Sequence, residues 1–144
     1  MRRILFRGKR LDNGDWVQGY YFETPLTDEA TNSKTEDGWF FLCGRRRHCI
    51  SRNNCVYEID PSTVGEFTGH FDTNKKTIFE GDIVECQEYE CMGYIAYDIG
   101  EAGFMFRVYD DDFPSGYELE CLSDFVDEMK IIGNIYDNPE LIPN

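Results

Sequence analysis

Long hydrophobic runs are missing from this sequence of 144 residues. No apolar stretch approaches the roughly 20 residues that a membrane-spanning helix requires. The basic N-terminus, Met-Arg-Arg-Ile-Leu-Phe-Arg, lacks the apolar centre of a signal peptide. Hydrophobic residues still make up 41% of the chain and aromatic residues 15%, which suffices for a folded core and argues against disorder. We therefore expect a folded cytoplasmic protein.

Histidine is scarce, and the cysteines lack the spacing of common metal sites. The chain has two histidines and six cysteines, with no Cys-x-x-Cys pair. The nearest approach to a ligand cluster is Cys43, His48, Cys49 and Cys55, whose spacings do not match a zinc knuckle. Cytoplasmic cysteines are expected to be reduced, and here to serve as small apolar side chains in or near strands. We predict no metal and no cofactor, and leave the metal alternative open for these four residues.

Common enzyme signatures are absent as well. Gly65 and Gly69 are not followed by the Lys-Ser/Thr of a phosphate-binding loop. No Ser-His-Asp or Cys-His order stands out. Three consecutive acids, Asp110–Asp112, could bind a hard cation, but they point in different directions and no spaced ligand loop follows them. A solvated loop is the favoured interpretation there, and the sequence as a whole favours a protein that is not an enzyme.

Positive charge almost disappears after residue 79. Residues 80–144 hold 2 Lys+Arg and 17 Asp+Glu, a net charge of −15, whereas residues 1–79 hold 12 and 11, a net charge of +1. A segment this acidic repels phosphate, so we do not expect it to bind nucleic acid directly. The basic residues fall into two groups: Arg2, Arg3, Arg7, Lys9 and Arg10, then Arg45, Arg46, Arg47 and Arg52.

The stretch from Val64 to Cys86 carries the clearest structural pattern. β-Branched and aromatic residues near both of its ends favour strands. Asp72 and Asn74, between them, can hydrogen-bond the backbone two residues further on, which predicts a turn. Gly81 then predicts a tight corner, because glycine enters backbone conformations that other residues reach only at a cost.

The rest of the chain carries further signals for turns, loops and strands. Asn13-Gly14 is the strongest short hairpin signal and predicts an N-terminal hairpin. A mobile loop is expected over residues 23–37, and exposed turns at Arg45–Arg47 and Arg52–Asn54. Short helical turns are predicted after Asp60, where Pro61 suits the first position, and after Ser123 and Asn138, each as a cap. Further strands are predicted at residues 3–8, 16–22, 38–43, 55–60, 93–98, 103–109, 117–122 and 129–136.

These patterns predict a mainly β protein of antiparallel sheets, with short helical turns only. Residues 1–63 form an N-terminal β region with the hairpin and the mobile loop. Residues 64–144 are expected to form a small barrel like that of Src-homology-3 domains, because a Gly-Asp-Ile-Val strand followed by a Gly-Tyr-Ile-Ala-Tyr strand is frequent in such barrels. The two regions are expected to make one compact chain.

Three blocks of sequence carry a family resemblance. They are RRILFRGKRLDNGDWVQGYYFE, EIDPSTVGEFTGHFDTNKKTIFEGDIVE and IIGNIYDNPELI, in that order. The combination resembles the YopX family of phage and prophage proteins. The resemblance implies a β-rich fold, an origin in a temperate bacteriophage or prophage, and self-association. It implies no biochemical activity and no catalytic residues.

Two small groups of residues are candidate sites. Glu80 and Asp82 lie two residues apart and could supply paired carboxylates for acid–base work, with His70 as a third member. The favoured alternative is that Asp82 caps a turn and Glu80 is a solvated neighbour. Asn134 and Tyr136 lie beside a strand end, and are predicted to form either a corner that docks the C-terminus, which is favoured, or a ledge that binds a partner.

The leading functional hypothesis is a non-enzymatic interaction module that binds copies of itself, and a host or phage protein. A basic hairpin would meet the acidic C-terminal region of another copy. Its predicted contact residues are Arg2, Arg3, Arg7, Trp16 and Tyr20, together with Asn134 and Tyr136.

Two alternatives come from other functional classes. The first is an enzyme acting on a small molecule through Glu80 and Asp82. The second is a protein that binds single-stranded nucleic acid through the basic hairpin, with Trp16, Tyr20 and Trp39 stacking on bases.

Overall fold

The computed structural model describes residues 1–25 and 46–143. Within these residues the protein is mainly β, as predicted, with antiparallel strand pairs and single-turn 3-10 helices. It forms two compact units, an N-terminal unit of Ile4–Val64 and a C-terminal unit of Met1–Arg3 with everything from Gly65 onward. The strand predicted at residues 38–43 lies outside the described residues. The strands are β1 (Phe6–Lys9), β2 (Trp16–Pro25), β3 (Arg46–Arg52), β4 (Cys55–Glu58), β5 (Gly65–Phe71), β6 (Thr77–Phe79), β7 (Asp82–Cys86), β8 (Cys91–Asp98), β9 (Gly103–Tyr109), β10 (Tyr117–Cys121) and β11 (Met129–Asn134).

The N-terminal unit contains four antiparallel strands in the order β4-β3-β2-β1. The predicted Asn13-Gly14 hairpin is confirmed. Gly14 has a φ of 74°, in the left-handed region that favours glycine, and the Asp15 backbone N–H donates to Asn13 Oδ1 at 2.9 Å. One face of these strands packs into a small core of Val17, Ile50 and Ile59.

Two predictions about the β2–β3 pair are wrong. Arg46 and Arg47 were expected in an exposed turn and lie in β3, while Glu23, expected in a loop, lies in β2. Glu23 faces His48 across the pair, and Arg46 Nη1 donates to Glu23 Oε2 at 3.0 Å. Pairing of opposite charges across the strands supports a sheet where local propensity predicts a loop. Arg45 and residues 26–37 lie outside the described part of the chain.

The C-terminal unit contains a five-stranded antiparallel sheet in the order β10-β9-β8-β7-β11, together with the antiparallel pair β5–β6. The expected Src-homology-3-like barrel is not confirmed. β10 and β11 are the two edges of the five-stranded sheet, and the described residues form no closed barrel. The core beside this sheet is built from Ile78, Val84, Cys86, Ile95, Phe106, Leu122 and Met129.

The stretch from Val64 to Cys86 folds as predicted, as strand, turn and strand. Asp72 is 5% exposed, and its Oδ1 accepts hydrogen bonds from the backbone N–H groups of Asn74, at 2.8 Å, and Lys76, at 2.9 Å. Its Oδ2 accepts from the Ile131 N–H of β11 at 3.2 Å. One carboxylate therefore fixes the turn and joins it to the edge of the sheet.

Gly81 is the corner between β6 and β7. Its φ is 90°, and a Cβ at this position would lie 3.1 Å from Tyr136 Cε2. Its N–H donates to the Ile95 carbonyl at 2.7 Å, and its carbonyl accepts from the Ile135 N–H at 2.9 Å. The corner therefore needs glycine for both conformation and space.

The helical turns confirm one predicted turn and correct one predicted cap. The turn predicted after Asp60 forms as the 3-10 helix Pro61–Thr63, and Asp60 caps it by accepting from the Ser62 N–H through Oδ1 at 3.0 Å. The predicted cap at Ser123 is wrong, because the 3-10 helix there already begins at Leu122 and its first flanking residue makes no side-chain cap. No helix among the described residues is both long and apolar enough to cross a bilayer.

Candidate functional site

One face of the N-terminal sheet exposes aromatic and apolar side chains. Because side chains alternate along a strand, Trp16, Tyr20 and Phe22 of β2 lie on the face opposite the core. Tyr20 is 71% exposed and Phe22 37% exposed. Tyr20 faces Ser51 of β3, and Ser51 in turn faces Val56 of β4, which is 61% exposed. The exposed groups therefore span three adjacent strands.

Cations lie on the same face, beside Trp16. Arg7 and Lys9 of β1 face Gln18 and Trp16 of β2. The Arg7 guanidinium carbon lies 4.7 Å from the centroid of the Trp16 ring, and Lys9 Nζ lies 5.5 Å from it, which are cation–π distances. The N-terminal outer face, as we define it, consists of Arg7, Lys9, Trp16, Tyr20, Phe22 and Val56.

The sequence predicted only part of this face. Arg7, Trp16 and Tyr20 do lie together, but Arg2 and Arg3 belong to the C-terminal unit, where Arg2 Nη2 binds Glu66 Oε1 at 2.7 Å. Sequence reasoning missed Phe22 and Val56. Alternation along β4 could have identified Val56 only if the register with β3 had been known.

His48 lies in a polar cluster at the other face of the same strands. Its Nδ1 is 2.6 Å from Tyr21 Oη and 3.7 Å from Glu23 Oε1. The hydrogen bond from Arg46 is the main cause that lowers the pKa of the Glu23 carboxyl. Cys49 follows His48 on the opposite face, and Cys55 faces Arg52 at the far end of β3.

The structure therefore does not gather His48, Cys49 and Cys55, the candidate metal ligands that lie among the described residues. Within residues 1–25 and 46–143, no three or more His, Cys, Asp or Glu side chains are placed to hold a metal ion. Cys43, the remaining member of the candidate set, lies outside those residues. Cys49 is buried and Cys55 exposed, and both are free thiols.

Glu80 and Asp82 occupy the corner at Gly81 in different surroundings. Asp82 is 2% exposed, and its Oδ2 accepts from the Phe79 N–H at 2.8 Å, so it caps the turn. Glu80 is half-buried, and its Oε2 accepts from the Tyr97 N–H at 3.3 Å. Burial raises the pKa of the Glu80 carboxyl, against the opposing effect of its backbone hydrogen bonds. Glu80 is thus not the fully solvated neighbour that the favoured interpretation assumed.

His70 lies apart from these carboxylates along β5. The Glu80 N–H donates to the Glu66 carbonyl at 3.0 Å, which places Glu66 beside the corner. His70 is four residues further along the strand, a distance of roughly 13 Å at the usual rise. Its own N–H donates to Thr68 Oγ1 at 3.2 Å. A catalytic role for Glu80, Asp82 and His70 stays a prediction.

Asn134 and Tyr136 lie at the corner that follows β11. Asn134 Oδ1 accepts from the N–H groups of Tyr136, at 3.0 Å, and Asp137, at 2.9 Å. Asn138 Oδ1 accepts from the Asn134 N–H at 3.3 Å, close to Gly133, where a Cβ would collide with Asn138. These contacts give Asn134 a corner-forming geometry, and its use as a partner ledge stays a prediction.

Comparison with known proteins decides the family. A family model described as YopX protein matches residues 5–143. The chain belongs to the YopX family. No curated protein matches this YopX-family chain. The crystal structure of protein EF1440 from Enterococcus faecalis is similar to it, with 24% sequence identity, coverage of 99% of this chain and 100% of that chain, and a TM-score of 0.47.

The three blocks behind the YopX resemblance correspond to defined elements. The first block, residues 2–23, forms the β1–β2 hairpin, including Trp16 and Tyr20 of the N-terminal outer face. The second, residues 58–85, runs from the Pro61–Thr63 helix through β7. The third, residues 131–142, forms most of β11 and the corner after it. The family pattern therefore covers a hairpin, a turn and a corner that all need specific residues.

Proposed function

We propose that this YopX-family protein is a non-enzymatic accessory protein of a bacteriophage or prophage, which acts in the bacterial cytoplasm by associating with copies of itself. The observation that carries the proposal is the N-terminal outer face. Tyr20, Phe22 and Val56 expose 71%, 37% and 61% of their surface, beside Arg7 and Trp16. Tyrosine, tryptophan and arginine are the residues that dominate protein–protein binding energy. The phage origin is supported by the family resemblance.

The charges of the two units favour contact between unlike surfaces. The C-terminal unit, residues 1–3 and 65–144, carries 6 Lys+Arg and 19 Asp+Glu, a net charge of −13. The N-terminal unit, residues 4–64, carries 8 and 9, a net charge of −1. Two C-terminal units repel one another, whereas Arg7 and Lys9 attract an acidic partner. We therefore propose that the outer face of one copy binds the C-terminal unit of another, a head-to-tail contact that builds rings or filaments.

Replacement of Tyr20 by alanine tests this proposal. A buried tyrosine removes roughly 150–250 Å² from water. At about 25 cal/mol per Å², covering the exposed 71% of Tyr20 is worth about 3–4 kcal/mol, and its loss should weaken association by roughly 150- to 700-fold. Leu11→Ala is the matched control, because Leu11 is 58% exposed in the same unit but lies in the hairpin turn. Sedimentation velocity should show weakened association for Tyr20→Ala alone. Equal association of both variants would contradict the proposal.

A second candidate function, binding of single-stranded nucleic acid, is favoured by one depression in the N-terminal unit. It has a volume of about 310 Å³, and Trp16, Tyr57, Arg10 and Arg52 are among its lining residues. Two aromatic rings and two guanidinium groups suit a base and its phosphate. Asp15 also lines it, and Arg10 already binds Asp12 and stacks on Tyr57 at 4.5 Å, which weakens this candidate.

Fluorescence anisotropy with a labelled single-stranded oligonucleotide at low salt tests the second candidate. Binding that is lost in Arg52→Gln would support it, since Arg52 lies at the end of β3, in the depression and outside the N-terminal outer face. No rise in anisotropy at low salt would exclude it. Tyr20→Ala, in contrast, bears on self-association, so the two functions can be separated.

A further inference from the structure

Two thiols face one another across the β7–β8 hairpin. Cys86 is the last residue of β7, Cys91 is the first residue of β8, and the two are direct partners in the strand register. The two thiols are close enough for each to shift the pKa of the other. Facing residues of antiparallel strands have Cα atoms about 4.5 or 5.5 Å apart, and a disulfide accommodates about 4.4–6.8 Å. A disulfide between them would therefore need little movement of the backbone.

The two thiols differ in their access to solvent. Cys86 is 1% exposed and belongs to the core of the C-terminal unit, whereas Cys91 is partly exposed at its edge. Both line a depression of about 350 Å³ beside the hairpin loop, together with Glu85, Gln87, Glu90 and Met92. A small reagent can therefore reach Cys91 from solvent, while Cys86 is placed to react with whatever becomes attached to Cys91.

Glutamate side chains surround the pair. Glu85 and Glu90 line the depression, and the charges of Glu120, near Cys91, and Glu128, near Cys86, reach the two thiols. Burial is the main cause that raises the pKa of Cys86, to about 12, and it raises the pKa of Cys91 as well. The thiolates are therefore scarce, and the carboxylates repel an anionic reagent while attracting a cationic one.

We propose that Cys86 and Cys91 are a redox-modification site that closes reversibly to a cross-strand disulfide, and that the site reacts selectively with cationic low-molecular-weight disulfides. The Cys91 thiolate attacks one sulfur of the reagent, which forms a mixed disulfide and releases one reagent thiol. The Cys86 thiolate then attacks Cys91 Sγ and releases the second reagent thiol. Two protein thiols are oxidised, one reagent disulfide is reduced to two thiols, and the protons lost from Cys86 and Cys91 end on those thiols.

The alternative is that both residues are only small apolar side chains of the core. Cystamine, which is cationic, and oxidised glutathione, which is anionic, distinguish the two explanations. The full-length protein is treated with each reagent, quenched over time with acid, digested on the carboxyl side of glutamate and mapped by mass spectrometry. Cleavage after Glu88 or Glu90 separates Cys86 from Cys91, so a disulfide between them is identified by the linked peptides.

Cys55 supplies an internal reference for the effect of charge. It is exposed at the start of β4 and faces Arg52, so it should not share the preference for a cationic reagent. We expect cystamine to link Cys86 to Cys91 at least tenfold faster than oxidised glutathione does. For formation of the mixed disulfide at Cys55, we expect the ratio of the cystamine rate to the glutathione rate to be smaller or reversed. Added salt should reduce the ratio at Cys91.

Two results would overturn the proposal. One is modification of Cys55 by cystamine while Cys86 and Cys91 stay reduced. The other is a cystamine-to-glutathione ratio at Cys91 no larger than that at Cys55. Cys86→Ala supplies a second readout, because the mixed disulfide should then persist on Cys91. Since the mapping of the unsubstituted protein decides the matter alone, failure of this variant to fold leaves the test intact.

Discussion

Asp72 offers the most direct test of how the central stretch is held together. Its carboxylate is 5% exposed and accepts three backbone hydrogen bonds, from Asn74, Lys76 and Ile131. Asp72→Ala removes both acceptor oxygens and with them all three hydrogen bonds. Two of the donors lie on exposed turn residues and can turn to water, whereas the Ile131 N–H lies between β11 and the turn. At about 1–3 kcal/mol for an orphaned buried donor and about 0.5–1.5 kcal/mol for each bond exchanged for water, we expect a loss of about 3 kcal/mol.

Asp72→Asn divides this loss into two parts. The amide keeps one oxygen, which can still accept from Asn74 and Lys76, but its nitrogen cannot accept from Ile131. We therefore expect a smaller loss of about 1–2 kcal/mol, together with faster hydrogen exchange at the Ile131 amide. Asp111→Asn is the control, because Asp111 is exposed in a loop and such substitutions change stability by about 0.5 kcal/mol or less.

Urea unfolding followed by circular dichroism measures the free energies, and hydrogen exchange measures protection at Ile131. We expect Asp111→Asn to be the most stable of the three variants, Asp72→Asn to be less stable, and Asp72→Ala to be the least stable. An Asp72→Ala variant as stable as the Asp111 control would refute the role given to this carboxylate. So would unchanged protection of Ile131 in Asp72→Asn, even if the overall stability fell.

Two further predictions concern the corner between β6 and β7. Burial raises the pKa of Glu80 in the folded state. The contribution of the Glu80 carboxyl to stability is therefore fully present below its unfolded pKa of about 4.3 and is lost as pH rises through its folded pKa. We expect Glu80→Gln to stabilise the protein at pH 7 but not at pH 3. Thermal unfolding at both pH values, with the exposed Glu101→Gln as control, checks this, and a Glu80→Gln variant less stable than the wild type at pH 7 would count against it. Gly81→Ala should cost about 1 kcal/mol more than Gly69→Ala, because both have φ near 90° but only Gly81 brings the new Cβ against Tyr136. Equal losses in urea unfolding would contradict the steric part of this explanation.

Local signals predicted the fold where a few adjacent residues decide the backbone. Asn13-Gly14, Asp72 and Gly81 each specify a turn through their own side chain or its absence, and all three turns form as predicted. Clean alternation also predicted the bounds of β9, residues 103–109. The strands that failed the prediction depend on partners far along the chain. Arg46 continues a strand in which its guanidinium binds Glu23, two positions away from the residue directly opposite it, and neither residue alone reveals that pairing.

In the candidate site, too, the sequence predicted what local spacing decides and missed what strand register decides. Sequence placed Arg7, Trp16 and Tyr20 in one hairpin, because their spacing in that hairpin is local. It could not add Val56, which joins the face only through the register of β4 on β3. It also grouped Arg2 with the hairpin, although Arg2 pairs with Glu66 in the other unit. The barrel expectation is not confirmed for a related reason: closure depends on whether β10 and β11 meet, and short motifs carry no information on sheet edges.

The proposed function depends on self-association through oppositely charged surfaces. Static light scattering of the unsubstituted protein over a salt series tests it most directly. At about 50 mM salt, where screening is weak, we expect a mass of at least two 16.8 kDa chains, and a fall toward the mass of one chain as salt rises to about 1 M. A mass of 16.8 kDa at low salt would contradict it.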